Sequence, residues 1–389
     1  MKLAVVIAGL AAGGAARVAT SLANHWADSG GKITFITYDD GSKPPFFRLH
    51  PAIDIVAMDM AQPYAGLISA VWRNLRRIAR LRTALAGAKP ECVIAVGETN
   101  GVRTILACQG LDLPVIVSEH TDASDVLSQK HGILWGVLRS LLYPLAAAVV
   151  APNDRMKRQF RRRIQELVTV IPNPLPPDLP ETFQQIDTAL TLPANTIASM
   201  GRLVRQKRFD LLLAAFAMVA AHRDCHLIIV GDGPRRSELE NLRDRLGLSS
   251  RVTMPGALRD PWPLLRQAKL FAVSSEVESF GIALCEAMAC GLPVVSFDCP
   301  TGPRDIIRDG IDGLLVPPLD VRALAGAMER LLDDEAEAAR LSARAVEVRQ
   351  TFGLERVAAQ WDDALNRALG IASKTPGLET AYGDEPRAG

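Results

Sequence analysis

Two carboxylates, Glu278 and Glu286, stand eight residues apart in an apolar stretch that also contains a glycine turn. The stretch follows a strand-like run, 270–275, and enters a helix-like run, 282–291, that ends on a glycine. In an open parallel sheet, ligands bind at such strand-to-helix edges, where the helix N-terminus attracts phosphate. Glu278 could simply be an acid favoured by the helix dipole. Glu286 is the only charge of its helix, and a buried carboxylate needs a cation or hydroxyl groups as partners.

A second group of polar residues offers positive charge. Arg202 and Lys207 lie on a loop between a predicted strand, 196–200, and a helix that starts near Phe209. The loop carries further arginines, so it could simply be solvated. Its place after a strand, with Gly201 allowing close approach, favours anion binding.

Two weaker signals lie in the first half of the chain. Gly13 and Gly14 follow a predicted strand, 3–8, and a Gly-Gly pair alone is weak evidence for a ligand loop. His120 ends another predicted strand, 114–118, where a lone histidine is more often structural.

The motifs together resemble glycosyltransferase family 4, the retaining nucleotide-sugar transferases of GT-B fold. The resemblance runs in the family's order from residue 5 to about 370. It rests on these segments: Gly13 to Val18, Gly201 to Asp210 with Leu227 to Gly233, Glu278 to Glu286, and Asp298 to Asp305 with Asp312 to Pro317.

The resemblance implies roles for the second-half residues. Arg202 and Lys207 would contact the diphosphate, Glu286 the ribose hydroxyls, and Glu278 the transferred sugar. The backbone N–H groups expected to line the sugar and phosphate path are those of Phe280, Gly281 and Ile282.

In the first half, the resemblance implies that Gly13 and Gly14 form a donor-facing loop and that His120 contacts the transferred sugar. The chain departs from the family pattern at Ala16, where a glutamate is usual, and at Asp305, where glutamate is more common. Glu119-His-Thr further resembles a subgroup that extends lipid-linked oligosaccharides, including N-acetylgalactosamine, exopolysaccharide and lipopolysaccharide transferases.

Strand–helix alternation along all 389 residues predicts an α/β protein with two parallel-sheet domains. We expect two Rossmann-like domains with a cleft between them. Residues 1–173 plus a crossover helix at about 354–371 form the acceptor domain, and 190–353 the nucleotide-sugar domain. A proline-rich linker occupies 174–189, and the tail, 372–389, is expected to be disordered. The apolar N-terminus could be a signal peptide, but the βαβ rhythm that follows favours a buried strand.

The remaining strands are predicted near 33–37, 53–57, 92–96, 147–151, 168–171, 227–231, 252–254, 293–296 and 313–316.

Net charge is +1 overall, but residues 1–173 carry +7 and the remainder −6. A helix at 66–85 is predicted to be amphipathic, with Leu67, Val71, Leu75, Ile78 and Leu85 on one face. Its opposite face and the basic segment 155–163 would then present these arginines to an anionic membrane surface: Arg73, Arg76, Arg77, Arg80, Arg161, Arg162 and Arg163. The alternative is two solvated helix faces. Nucleic acid is disfavoured because aromatic residues are not interleaved with the basic ones.

We therefore predict a retaining transferase that moves sugar from a UDP- or GDP-sugar to a saccharide acceptor, expected to be linked to polyprenyl diphosphate. Neither a metal nor another cofactor is expected. The enzyme would work in the cytoplasm at the inner membrane face. The six scattered cysteines are typical of buried thiols in a reducing compartment.

The alternative of a different class is a periplasmic sugar-binding protein with two α/β lobes. An epimerase would need a Gly-x-Gly-x-x-Gly and a Tyr-x-x-x-Lys, which are absent.

Overall fold

The computed structural model describes residues 1–61, 67–120, 132–179 and 191–371, with the side chains of 67–70 and 132 left aside. Within these ranges the chain forms two fully parallel sheets. The strands of the first sheet, β1 to β7 in chain order, are Lys2–Ile7, Lys32–Thr37, Asp54–Ala57, Cys92–Val96, Val115–Ser118, Ala148–Ala151 and Val168–Val170. Their order in the sheet is β3-β2-β1-β4-β5-β6-β7. The strands of the second sheet, β8 to β13 in chain order, are Thr196–Met200, His226–Val230, Val252–Gly256, Leu270–Val273, Val294–Phe297 and Leu314–Val316. Their order in the sheet is β10-β9-β8-β11-β12-β13.

Each strand was predicted within two residues of its observed ends, because continuous Val, Ile and Leu runs are typical of parallel strands buried on both faces. Along β1, Leu3, Val5 and Ile7 enter one core, while Ala4 and Val6 enter the core on the opposite face. The second sheet is covered in the same way on both faces. The N-terminal segment is thus a central strand of the first sheet.

Helices cover both sheets. In the first half they are Gly14–Asp28, Leu67–Ala88, Glu98–Cys108, Gly132–Leu142, Asp154–Arg158 and Arg162–Gln165. In the second half they are Phe209–Ala220, Arg236–Arg245, Trp262–Leu265, Ile282–Ala289, Pro303–Ile306, Val321–Asp333, Glu335–Ala345, Val348–Phe352 and Leu354–Ala368. The helices Val321–Asp333 and Glu335–Ala345 are separated at Asp334, whose side chain caps the second of them by accepting from Glu337 N.

The last helix, Leu354–Ala368, packs on the first domain. Its Trp361 meets Trp26 edge to face, and Asp362 accepts a hydrogen bond of 2.8 Å from the Trp26 indole N–H. The chain therefore passes between the two cores twice. Ile171 and Leu354 lie in the first core, whereas Leu175 and Phe352 lie in the second.

These two passages touch, because Leu175 N donates to Phe352 O at 2.7 Å. Leu175 and Leu179 belong to the segment predicted as a linker, and both are buried in the second core. Residues 180–189 of that segment and the expected tail, 372–389, lie outside the described residues.

The two predicted faces of the helix Leu67–Ala88 are only partly separated. Val71 and Leu75 are 60% and 53% exposed, whereas Ile78 and Leu85 of the same predicted face pack in the first domain. Arg77, expected on the membrane face, is instead buried and donates to Met60 O at 2.9 Å. Arg80 is exposed as predicted and donates to Met58 O at 3.3 Å. Both arginine side chains thus satisfy backbone carbonyls beyond the end of β3.

Candidate active site

The two sheets bring the predicted residues to equivalent places. Arg202 and Lys207 follow β8, while Glu278 follows β11, and β8 and β11 are neighbours although distant in sequence. Such a reversal of strand order opens a crevice at the carboxyl ends of the strands. In the first sheet, β1 and β4 form the corresponding reversal, and Gly13 and Gly14 follow β1.

Lys207 and Glu278 form the centre of the site. Lys207 Nζ lies 2.5 Å from Glu278 Oε1, and the same oxygen accepts from Ser275 Oγ at 2.7 Å. Lys207 also anchors its own loop, since its carbonyl accepts from Ser274 Oγ at 2.9 Å. The lysine remains 24% exposed. A cation and a carboxylate are thus held beside each other with one side open to solvent.

The loop around Glu278 depends on two glycines. Gly302 has φ 93°, and a Cβ there would lie 2.4 Å from Phe280 O. Gly281, at φ 109°, starts the helix Ile282–Ala289, which has no side-chain cap at its N-terminus. The first N–H groups of that helix are therefore available for an anion. The Phe280 side chain is buried against Phe352, so a ligand could meet only its backbone.

The glycine loop of the first domain faces this helix. A Cβ on Gly14 would lie 3.6 Å from Ile282 Cγ2, so the two loops meet across the cleft. Gly13 has extended backbone, and a Cβ there would meet nothing within 4 Å. Space at Gly13 is therefore open to a ligand.

Glu286 is 3% exposed, within the helix Ile282–Ala289. Burial raises the pKa of its carboxyl to about 7, and this rise is opposed by the nearby Arg17. Arg17 Nε lies 3.5 Å from Glu286 Oε1, which makes an ion pair between the two domains. The carboxylate thus has one long contact to a cation and capacity to accept further hydrogen bonds.

Arg17 lies in the glycine motif Gly13 to Val18, but the sequence alone indicates no role for it. Its guanidinium stacks on Phe47 at 4.1 Å and on Trp262 at 5.1 Å, and it donates to Arg259 O at 3.2 Å. Phe47 belongs to the first domain and Trp262 to the second. The arginine in a Gly-Gly-x-x-Arg spacing at the start of a helix was the available signal.

Asn153, after β6, was also missed. Its Nδ2 donates to Ser279 O at 2.9 Å, and its Oδ1 caps a first-domain helix by accepting from Met156 N. Arg155 reaches across the cleft as well, donating to Pro300 O at 2.6 Å and lying 3.7 Å from Asp305. A buried asparagine between a strand and an aspartate is typical of a helix cap, so the sequence signal had an ordinary structural reading.

His120 contacts side chains of the first domain. It is half-buried, its Nε2 lies 2.9 Å from Ser118 Oγ, and it borders a small cavity with Trp361. Burial lowers its pKa to about 4, so the ring is neutral at pH 7. His120 can therefore offer a hydrogen bond but no charge.

Beside it lies a buried acidic cluster that the sequence did not indicate. Glu119 accepts a hydrogen bond from the Tyr143 hydroxyl, and burial raises its pKa to about 7. Glu98 lies 3.7 Å from Arg139 Nε, and burial raises its pKa too. These groups are packed under the first sheet's carboxyl edge.

Arg202 is exposed on the loop after β8 and, within the described ranges, has no ion-pair partner. Arg161, Arg162 and Arg163 are also exposed. No group of three or more metal-ligating side chains is found among the residues that the structure covers. In the same part of the chain no helix is long and apolar enough to cross a membrane. All six cysteines are buried and unpaired.

Comparisons with known proteins agree with this architecture. Residues 12–179 match the family model "Glycosyltransferase Family 4", and residues 181–348 match "Glycosyl transferases group 1". The chain is 28% identical over 369 residues to a Campylobacter jejuni N-acetylgalactosaminyltransferase named for an undecaprenol-linked acceptor, covering 93% of this chain and 97% of that one. It is also 35% identical over 227 residues to an exopolysaccharide phosphotransferase of Streptomyces coelicolor, covering 57% of this chain but only 23% of that protein's length.

Two solved structures extend the comparison. Sucrose-phosphate synthase from Thermosynechococcus elongatus superposes with a TM-score of 0.81 at 22% identity, over 95% of this chain and 99% of that one. Anabaena HepE, solved with UDP-glucose, superposes with a TM-score of 0.74 at 20% identity, over 94% of this chain and 99% of that one. These likenesses establish the GT-B fold predicted from the sequence. The two family models meet at residue 180 and together account for both domains, so the chain belongs to the glycosyltransferases of family 4 and group 1.

Proposed function

We propose that this glycosyltransferase takes its sugar from a nucleoside-diphosphate sugar bound in the second domain. The observation that carries the proposal is the Lys207–Glu278 pair beside the uncapped N-terminus of the helix Ile282–Ala289. Lys207, the helix N-terminus and the exposed Arg202 would stabilise the charge that develops on the diphosphate leaving group. HepE was solved with UDP-glucose, which supports a UDP-sugar ahead of a GDP-sugar.

The glutamates would divide the work on the donor. Glu286 would accept hydrogen bonds from the ribose diol, because an ionised carboxylate only accepts and can take two donors. Glu278 would meet the transferred sugar next to Lys207. Backbone N–H groups of Phe280, Gly281 and Ile282 would line the phosphate path, facing the Gly13–Gly14 loop. His120, being neutral, would serve as a hydrogen-bond partner of the sugar.

We further propose that transfer retains the anomeric configuration. Glu278 is already engaged by Lys207 and Ser275, so it is poorly placed to act as a free nucleophile. Attack on the same face as the departing phosphate, assisted by that phosphate, fits a site built from cations and helix N–H groups. Such a site needs no metal ion.

The acceptor would be a saccharide linked to a polyprenyl diphosphate, and the reaction would run at the cytoplasmic face of the membrane. The support is the Campylobacter relative, which is named for an undecaprenol-linked acceptor and is matched by this chain over 97% of its length.

A thermal-shift screen against a panel of nucleotide-sugars tests the donor proposal. We expect stabilisation by one nucleotide class, reduced in Glu286→Gln. Hydrolysis or transfer should be reduced in Glu278→Gln while nucleotide binding persists. The product anomer, read by NMR, tests retention. If no nucleotide-sugar stabilises the protein, or Glu278→Gln loses affinity while Glu286→Gln keeps it, the assigned roles are wrong.

A further inference from the structure

The helix Gly132–Leu142 has an apolar face turned to solvent. Ile133, Leu134, Val137 and Leu141 are 75%, 54%, 48% and 66% exposed. The charged residue of this helix, Arg139, points the other way, because its Nε lies 3.7 Å from the buried Glu98. The helix thus presents apolar side chains outward and its charge inward, which reverses the usual pattern of a surface helix.

The helix Leu67–Ala88 repeats this inversion. Val71, Trp72 and Leu75 are 60%, 70% and 53% exposed, while Arg77 is buried. A single exposed apolar side chain is ordinary, but a contiguous set marks an interaction site.

The two exposed sets adjoin. Arg103, on the helix Glu98–Cys108, donates from Nε to Asn74 Oδ1 at 3.0 Å and stacks on the Trp135 ring at 5.1 Å. Asn74 lies beside Leu75 in the chain, and Trp135 lies beside Leu134. We call the combined set the apolar surface: Val71, Trp72, Leu75, Ile133, Leu134, Val137 and Leu141.

Positive charge borders the apolar surface. Arg73 and Arg76 are exposed on the same helix as Trp72. At the far end, the turn Tyr143–Leu145 that follows the helix Gly132–Leu142 contacts the helix Arg162–Gln165, next to the exposed Arg161, Arg162 and Arg163. Residues 1–173 carry a net +7.

We propose that the apolar surface docks the enzyme on an anionic lipid bilayer, with both helices lying in the headgroup region. Apolar side chains with a tryptophan, bordered by arginines, match the boundary between acyl chains and acidic headgroups. A second copy of the chain is disfavoured as the occupant because it would bring two basic borders together. The inference rests on the proposed function in one respect, since a lipid-linked acceptor gives the docking its use. It refines the sequence expectation: the exposed apolar residues insert and Arg73 and Arg76 steer, whereas Arg77 is buried and takes no part.

The test is co-sedimentation with vesicles of phosphatidylglycerol and phosphatidylcholine. We expect the wild type to sediment, and Trp72→Ser/Leu75→Ser/Val137→Ser/Leu141→Ser to lose binding by about 10-fold or more. The matched control is Met218→Ser/Leu246→Ser, which removes two exposed apolar side chains, 41% and 38% exposed, from the second domain. It should bind as the wild type does. All substitutions are at exposed positions, so circular dichroism and melting temperature should not change.

Arg73→Glu/Arg76→Glu should weaken binding at low salt, and high salt should reproduce that loss in the wild type. Equal sedimentation of the quadruple variant and the wild type would overturn the proposal, as would a wild type that ignores vesicles. A concentration-dependent dimer that only the quadruple variant abolishes would assign the surface to a second copy instead. Nucleotide-sugar binding should be unchanged in every variant, so failure here is separable from failure of the donor assignment.

Discussion

Glu286 should make donor binding depend on pH around neutrality. Its pKa is raised to about 7, so the carboxyl is half ionised at pH 7, about one-tenth ionised at pH 6 and about nine-tenths ionised at pH 8. The ionised form accepts through both oxygens, whereas protonation turns one of them into a donor and weakens the other as an acceptor. If binding requires that form, the affinity should fall about 10-fold from pH 8 to pH 6.

The measurement is calorimetry with UDP-glucose, or with GDP-mannose if that donor binds, because a pyrophosphate diester has no ionisation in this range. Glu286→Gln should bind more weakly and show no pH dependence. Arg17→Ala should move the midpoint to higher pH, because Arg17 lowers the pKa of Glu286. A flat wild-type profile, or the same slope in Glu286→Gln, would refute the reasoning.

The same group makes an opposite prediction for stability. The pKa is about 7 in the folded protein against 4.5 ordinarily, so folding binds the proton more tightly. This contribution to stability is complete below pH 4.5 and is lost as the pH rises through 7, by about 3 kcal/mol at most. At pH 8, Glu286→Gln should therefore melt at a higher temperature than the wild type although it binds donor less well.

Three further predictions concern the catalytic machinery. Arg202→Ala and Lys207→Ala should each lower turnover by about 100-fold with unchanged circular dichroism. Arg205 is exposed on the same loop, and Arg205→Ala should leave turnover unchanged. Equal turnover in all three variants would contradict the diphosphate role. Activity should survive EDTA, because cationic side chains and a helix N-terminus face the diphosphate, and recovery only on adding Mg²⁺ or Mn²⁺ would show otherwise. Asn153→Asp keeps the capping oxygen but loses the donor to Ser279 O, so kcat should fall while the melting temperature holds; a parallel loss of both would make Asn153 merely structural.

Much of the fold was readable because parallel strands leave long apolar runs. The strand-to-helix turns after β8 and β11 were located from glycines and charges, and their neighbouring positions followed from the family resemblance. The contacts between loops could not be predicted from the sequence, because a contact such as Lys207–Glu278 joins residues 71 positions apart in the chain.

The misplacement of Arg77 in the helix Leu67–Ala88 has a specific physical cause. Periodicity assigns it to solvent with its neighbouring arginines, yet Arg77 is buried and gains a carbonyl partner. A tertiary hydrogen bond outweighed the local pattern, and no spacing rule contains that information. The interdomain contacts of Arg17 and Asn153 escaped for the same reason.

The two passages of the chain between the domains have a mechanical consequence. They run side by side, tied by the Leu175 N to Phe352 O bond, and Gly353, which follows Phe352, has no space for a side chain because a Cβ would lie 2.6 Å from Arg349 O. Two crossings at one place restrain the domains more than a single linker would, because any relative motion must bend both segments together. We expect opening of the cleft to be a rotation about this crossing, which would separate Arg17 from Glu286 and Gly14 from Ile282.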